Sequence, residues 1–153
     1  MIYRKATMDD AEMLMRWRND ALTVQNFRSN RPVSKVEHEK WLRKAMHGDD
    51  RLVFIVARAE GAAEVRPIGT VQLEKMEHKE NGWETSVTVA PEERGKGLGG
   101  KILKLVCEGF PEATLYTEVK FDNKASEKSF AAAGFVQIGS YGLWTQWRRM
   151  PLR

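Results

Sequence analysis

At 153 residues, with 42% hydrophobic and 30% charged residues and a formal net charge of +4, the chain is sized for one domain, residues 1–153, around a single core. The excess charge is dispersed without a lysine or arginine run, which argues against a nucleic acid partner; the lone cysteine, Cys107, excludes an internal disulfide, and His38, His47 and His78 lack zinc-ligand spacing, so no metal is expected. The longest apolar run, Leu52 to Ala57, is too short to cross a bilayer and the first five residues lack a signal-peptide apolar region, from which a cytoplasmic location is the expectation and no membrane partner is foreseen.

Ile2 to Ala6 reads as a first strand. Thr7 then suits a helix cap, with Asp9, Asp10 and Glu12 in the first turn where the dipole favours acids, and Leu14, Trp17 and Ala21 sharing a face. Ser34 and Glu37 have capping-box spacing and open a second helix through about His47, in which Val36, Lys40, Leu42 and Met46 need not all be buried. Leu52 to Ala57 reads as a buried strand and Ile68 to Glu74 as a further one. From Trp83 to Val89 the alternation sets Trp83, Thr85, Val87 and Val89 on one side, and Glu84, Ser86 and Thr88 on the other. Leu98, Ile102, Leu105, Val106 and Phe110 form the apolar stripe of a helix, with Cys107 beside Val106 a buried small side chain rather than a nucleophile. Leu115 to Val119 is the next strand. Asp122 or Asn123 caps a helix that Gly134 ends, and Phe135 to Ile138 with Leu143 to Trp147 make a closing antiparallel pair around Gly139 to Gly142.

Between the strand ending at Val89 and the helix beginning near Leu98 lies a glycine-rich, basic loop. Gly95, Gly97, Gly99 and Gly100 remove the Cβ atoms that would hold an anion away from the backbone, the helix start adds unpaired N–H groups, and Arg94, Lys96 and Lys101 add charge. Such a loop suits a pyrophosphate. A nucleoside-triphosphate loop would need Ser or Thr where Ile102 stands. A dinucleotide fingerprint is met by Gly95, Gly97 and Gly100, with Glu118 as the ribose acid, but the charged Pro91–Arg94 segment intervenes between strand and glycines.

A third template fits better. Arg94-x-x-Gly97-x-Gly99 after a strand resembles the acyl-coenzyme A signature of the GNAT superfamily of N-acetyltransferases. Asn123-x-x-Ser126-x-x-x-Phe130-x-x-x-Gly134-Phe135 is similar to that superfamily's downstream segment. The order of elements also resembles its fold, an α/β (α+β) arrangement in which a central mixed, largely antiparallel twisted sheet is flanked by helices. The resemblance implies acetyl-CoA as acetyl donor. It places the pantetheine arm on the backbone of Val87, Thr88 and Val89, and the diphosphate on Arg94, Gly95, Lys96, Gly97, Leu98, Gly99 and Gly100, with Asn123, Ser126 and Phe130 flanking the cofactor.

An acceptor amine with a pKa of roughly 10 is protonated at neutral pH and must lose a proton before attack. Glu84, on the strand face opposite Val87, stands where such enzymes often keep a carboxylate. Many relatives place a tyrosine acid where this chain has Phe130, which leaves Ser126, Tyr116, Tyr141 or a water to substitute. Alternatively, no acid is needed, because a thiol-like leaving group has a pKa of roughly 8.5. Trp17-Arg18-Asn19, Phe27-Arg28 and His38-x-x-Trp41-Leu42 resemble the branch holding aminosugar-nucleotide, polyamine and ribosomal-protein acetyltransferases, with pseudaminic-acid pathway enzymes nearest. That implies a small-molecule amine, favoured to be a UDP-linked 4-amino sugar, bound by Arg18, Asn19, Phe27, Arg28 and His38. Polyamines and protein amino termini are the alternative acceptors. A small NAD-binding enzyme and a non-catalytic acyl-CoA-binding module are readings of a different class, and a homodimer is compatible with the sequence.

Overall fold

The computed structural model describes residues 1–152. Strand β1 (Ile2–Lys5) leads through a tight 3-10 turn at Met8–Asp10 into α1 (Ala11–Arg18), α2 (Ala21–Asn26) and α3 (Lys35–His47). Strands β2 (Arg51–Glu60), β3 (Glu64–Lys75) and β4 (Gly82–Val89) follow as a meander. Then come α4 (Leu98–Cys107), β5 (Thr114–Lys120), α5 (Lys124–Ala132), β6 (Val136–Tyr141) and β7 (Trp144–Arg149). The seven strands form one sheet in the order β1-β2-β3-β4-β5-β7-β6, antiparallel except for the β4–β5 pair.

Caps appear where the sequence places them. Ser34 Oγ accepts the Glu37 N–H at 3.1 Å, and Asn123 Oδ1 accepts the Ser126 N–H at 3.2 Å. The first helix departs from expectation. Arg4 and the Thr7 N–H converge on the Asp10 carboxylate at 2.7 to 2.8 Å, so Asp10 anchors the turn before α1. The chain then breaks at Asn19–Asp20, because Asp20 accepts the Leu22 N–H and starts a separate helix. Ala21 is therefore exposed rather than on the Leu14–Trp17 face.

The sheet is covered on both faces, and the buried residues fall into two clusters instead of the one core foreseen. Phe54, Val56, Val71, Leu73 and Leu115 pack under α4 and α5 with Ile102, Leu103, Val106 and Phe130. Val53 and Ile55 pack under α1 and α3 with Leu14, Trp17, Leu42 and Ala45. This is why Val53 to Ala57 is apolar without alternation: a strand buried on both sides has no solvent side. Each fully buried Leu or Ile here contributes roughly 1.5–3 kcal/mol. Gly69 permits a close approach, since a Cβ there would lie 2.9 Å from both Ile102 Cδ1 and the Thr88 carbonyl.

Candidate active site

The β4–β5 pair is the feature that positions the site. Its parallel ladder covers only Gly82, Trp83 and Glu84 against Thr114, Leu115 and Tyr116. Beyond Glu84 the strands part, with β5 bonded to β7 on its other side through Lys120. Three bonds fix which peptide groups of β4 face the gap. Met76 N–H donates to the Gly82 carbonyl and Ala90 N–H to the Ile68 carbonyl, both toward β3, whereas Thr114 N–H donates to the Asn81 carbonyl on the β5 side. With a period of two, the N–H and C=O groups of Thr85, Val87 and Val89 point into the wedge. Those of Thr88 turn to β3. Of the three residues expected to hold a pantetheine arm through their backbone, Val87 and Val89 present groups to the gap.

At the end of β4, Ala90 leads into a 3-10 turn at Pro91–Glu93 and then the glycine loop. Its four glycines divide into two kinds. Gly95 (φ 80) and Gly97 (φ 70) lie in the left-handed region, and a Cβ on either would meet nothing within 4 Å, so the space above them is open. Gly99 and Gly100 instead face α5. A Cβ on Gly99 would be 2.4 Å from Ser129 Oγ, and one on Gly100 would be 2.9 Å from the Ala132 Cβ. The first pair shapes a concave stretch of backbone; the second lets α4 lie close to α5. Leu98 opens α4, so unpaired N–H groups and the positive end of a ten-residue helix meet that open space. The wedge and this loop together fit a long thioester carrier with a diphosphate.

The loop's cations are not free in the way the sequence suggested. Arg94 donates to Asp20, the cap of α2, and to Thr23 Oγ1 at 3.1 Å. Lys96 pairs with Glu93 at 2.8 Å. Lys101 is exposed on the first turn of α4. Asn123 and Ser126 sit at the start of α5, Asn123 acting there as the helix cap. Phe130 is 2% exposed and packs edge-on to Phe135 with centroids 5.0 Å apart, which makes it a core residue of the α5 side.

On the other face of the sheet, Glu84 lies with Trp41, Gln72, Glu74 and Ser86 in a cleft of about 70 Å³. Because α5 covers the opposite face, the structure does not bring Ser126 beside Glu84; only the wedge connects them. Glu84 is open to solvent yet surrounded by protein atoms. That partial burial pushes its carboxyl above the usual range, with Glu118 and Glu74 adding and Arg28 opposing. Arg28 bonds Glu118 at 2.7 Å and lies 5.2 Å from the Trp144 ring. Glu118 also raises the Tyr141 phenol.

Of the acceptor candidates in the amino-terminal half, His38 is tied to this cleft through Trp41. Arg18 stacks on Phe27, Cζ 3.8 Å from the ring centroid, and donates to Ser29 Oγ at 3.0 Å. Its Nη1 is buried without a hydrogen-bond partner among the described residues, as is Nδ1 of His38. Burial, then the Arg18 charge, lowers the His38 pKa and favours the neutral ring. His38 lies 5.3 Å from Trp41, which lines the Glu84 cleft. Asn19 uses both ends of its amide on the Val33 backbone at 2.8 Å and so ties the segment before α3 to the end of α1.

A family model described as an acetyltransferase (GNAT) domain matches residues 1–136. The chain belongs to the GNAT acetyltransferase family. It is an acetyl-CoA-dependent N-acetyltransferase. Solved structures share its fold. A domain from Methanocaldococcus jannaschii DSM 2661 is 22% identical with a TM-score of 0.80, each chain covered to 96%. Spermidine N-acetyltransferase from Vibrio cholerae, in complex with CoA and spermine, is 19% identical with a TM-score of 0.79, over 96% of this chain and 92% of that one. Aminoglycoside acetyltransferase AAC(6')-Ib, in complex with coenzyme A and kanamycin, is 20% identical with a TM-score of 0.77, over 97% and 93%. No curated protein matches the sequence. Among the described residues of this GNAT enzyme, no group of three or more His, Cys, Asp or Glu is placed to hold a metal, and no helix is long and apolar enough to cross a membrane.

Sequence reasoning passed over several groups that the fold brings to the site. Glu93 read only as part of a charged segment ahead of the glycines, and it is fully buried. Glu118 served only as a dinucleotide candidate, whereas it meets Arg28. Gln72 and Glu74 reach the cleft through the β3–β4 register, Gln72 opposite Ser86 and Glu74 opposite Glu84. No local pattern in the sequence carries these pairings.

Proposed function

We propose that this enzyme acetylates the primary amine of a UDP-linked 4-amino sugar in the cytoplasm. The observation that carries the reading is the track from Glu84 through Trp41 and His38 to Arg18. It has a carboxylate at one end and buried, unpartnered polar atoms at the other. A buried guanidinium N–H without an acceptor is costly, and a phosphate oxygen supplies that acceptor. Arg18 and His38 then hold the diphosphate, Phe27 and Trp41 flank the flat base, and Arg28 lies at the rim.

On the donor side, Val87 and Val89 offer their backbone groups to the pantetheine arm. The N–H groups of Gly95 to Gly100 face the diphosphate, with Lys101 adding charge and Asn123 and Ser126 bordering the cofactor. Acetyl-CoA supplies an acetyl group activated as a thioester. Glu84 accepts the proton of the acceptor ammonium, directly or through one water, and its raised pKa brings it nearer to that task than an ordinary carboxylate. Phe130 has no proton to give. A thiolate with a pKa of roughly 8.5 departs without an enzymic acid, so the amine attacks the thioester directly.

A second reading has its own observation. Glu74 and Glu84 line the cleft, Glu118 lies within charge-coupling range of Glu84, and the structurally similar enzymes were solved with spermine and kanamycin. Carboxylates of this kind suit a polyamine or another polycation. Thiol release measured with UDP-4-amino sugars, spermidine, an aminoglycoside and peptide amines decides the matter. Turnover of the nucleotide sugar, with a KM that rises in Arg18→Ala, supports the first reading; turnover of polycations alone, indifferent to Arg18, establishes the second.

A further inference from the structure

Glu93 ends the turn that precedes the glycine loop, and its side chain is 0% exposed. Three cations from three elements surround it. Lys96 of the loop lies at 2.8 Å, Arg66 of β3 at 3.1 Å and Arg58 of β2 at 3.4 Å. Arg58 and Arg66 are directly opposite each other in the β2–β3 ladder, a like-charge pair that is unfavourable unless an anion lies between them. Glu60 bridges the same two arginines at 3.6 and 3.5 Å from the exposed side. The arginine pair is thus built around Glu93, and a carboxylate this deeply buried is stable only while those partners remain.

We propose that Glu93 is the positioning residue of the acetyl-CoA loop. Anchored on the β2–β3 hairpin by Arg58 and Arg66, it holds Lys96 from beneath and thereby fixes Gly95 and Gly97 in the left-handed conformation that exposes the loop's N–H groups. Lys96 then serves as an internal tether, and the anion is bound chiefly by the backbone. The proposal rests on the reading of Gly95 to Gly100 as the diphosphate site.

Acetyl-CoA affinity measured by calorimetry needs no acceptor and tests both statements. Glu93→Gln weakens binding about tenfold and Glu93→Asp restores part of it, as expected for a charge-assisted contact. Arg66→Gln, a change on β3 outside the glycine loop that removes one of the three cations at Glu93, lowers the melting temperature modestly and, measured where the variant is fully folded, weakens binding about threefold. In the double variant the two effects do not add, because Arg66 acts through Glu93. Parent-like affinity in Arg66→Gln, or strict additivity, overturns the proposal, and the Arg66 arm stands even if Glu93→Gln does not fold. Gly97→Asn separates the two failures, since Asn accepts a positive φ and only its side chain enters the open space. Lost affinity there with normal Arg66→Gln binding defeats the role of Glu93 alone; unchanged affinity in Gly97→Asn removes the site and the proposal with it.

Discussion

The two sides of the sheet handle polar groups in opposite ways. On the proposed donor side the charges near the loop are already satisfied within the protein: Arg94 by Asp20 and Thr23, Lys96 by Glu93. The unmet groups there are peptide N–H and C=O groups along β4 and at the start of α4. On the proposed acceptor side the unmet atoms belong to side chains, among them Nη1 of Arg18 and Nδ1 of His38. A site that reads a constant carrier is built from backbone geometry, which substitution scarcely alters. A site that selects among acceptors is built from side chains, which substitution changes freely.

The sharpest way to break this contrast is at Glu84. Glu84→Gln lowers kcat by about a hundredfold or more while acetyl-CoA KM stays within about twofold, and the acidic limb of the pH–rate profile disappears. The same variant is neutral or slightly stabilising at pH 7. A carboxyl whose folded pKa lies above its unfolded value adds stability below the unfolded pKa, and that contribution is lost as pH rises through the folded pKa, where ionised Glu84 opposes folding. A melting temperature that falls at neutral pH contradicts this sign. Next in size, Arg18→Ala raises the acceptor KM about tenfold, the loss of a charged hydrogen bond, with acetyl-CoA binding unaltered; a parallel rise in both constants would erase the division of labour.

Within the donor side, Gly99→Val separates packing from binding. The added side chain collides with Ser129 and destabilises the fold by about 1–3 kcal/mol, read as a lowered denaturant midpoint. Replacing both Gly97 and Gly99 by bulky residues would therefore confuse a binding test with a folding one. The smallest effect is on ionic strength. With Arg94 and Lys96 paired internally and Lys101 left as the exposed cation of the loop, acetyl-CoA KM rises only a few-fold between low and physiological salt. A steep dependence would mean that the internal pairs open on binding.

Much of the architecture was legible because its signals are local. The β4 alternation, the Ser34 and Asn123 caps and the α4 stripe each depend on residues a few positions apart and formed, except that α4 ends at Cys107, short of Phe110, and buries Leu103 as well. The glycine loop's conformation was legible for the same reason, since a glycine-rich turn at a helix start is contiguous. What escaped depends on distant partners. The break before Ala21 follows from Asp20 serving both as a cap and as the partner of Arg94, 74 positions away. The burial of Glu93 needs Arg58 and Arg66 from two other strands. The packing role of Gly99 and Gly100 exists only because α5 returns alongside α4, and Phe130 is taken by the core because Phe135 meets it there.

The early end of the β4–β5 ladder has a further consequence. Unbonded strand margins ordinarily invite a strand from another molecule and so promote aggregation. Here the margin lies in the middle of the sheet, walled by β5, which is itself fully engaged with β7. A second polypeptide could reach it only by entering the sheet between β4 and β5. The row of unbonded amides is thus enclosed within the sheet instead of being presented at its rim, where the hazard of such rows arises.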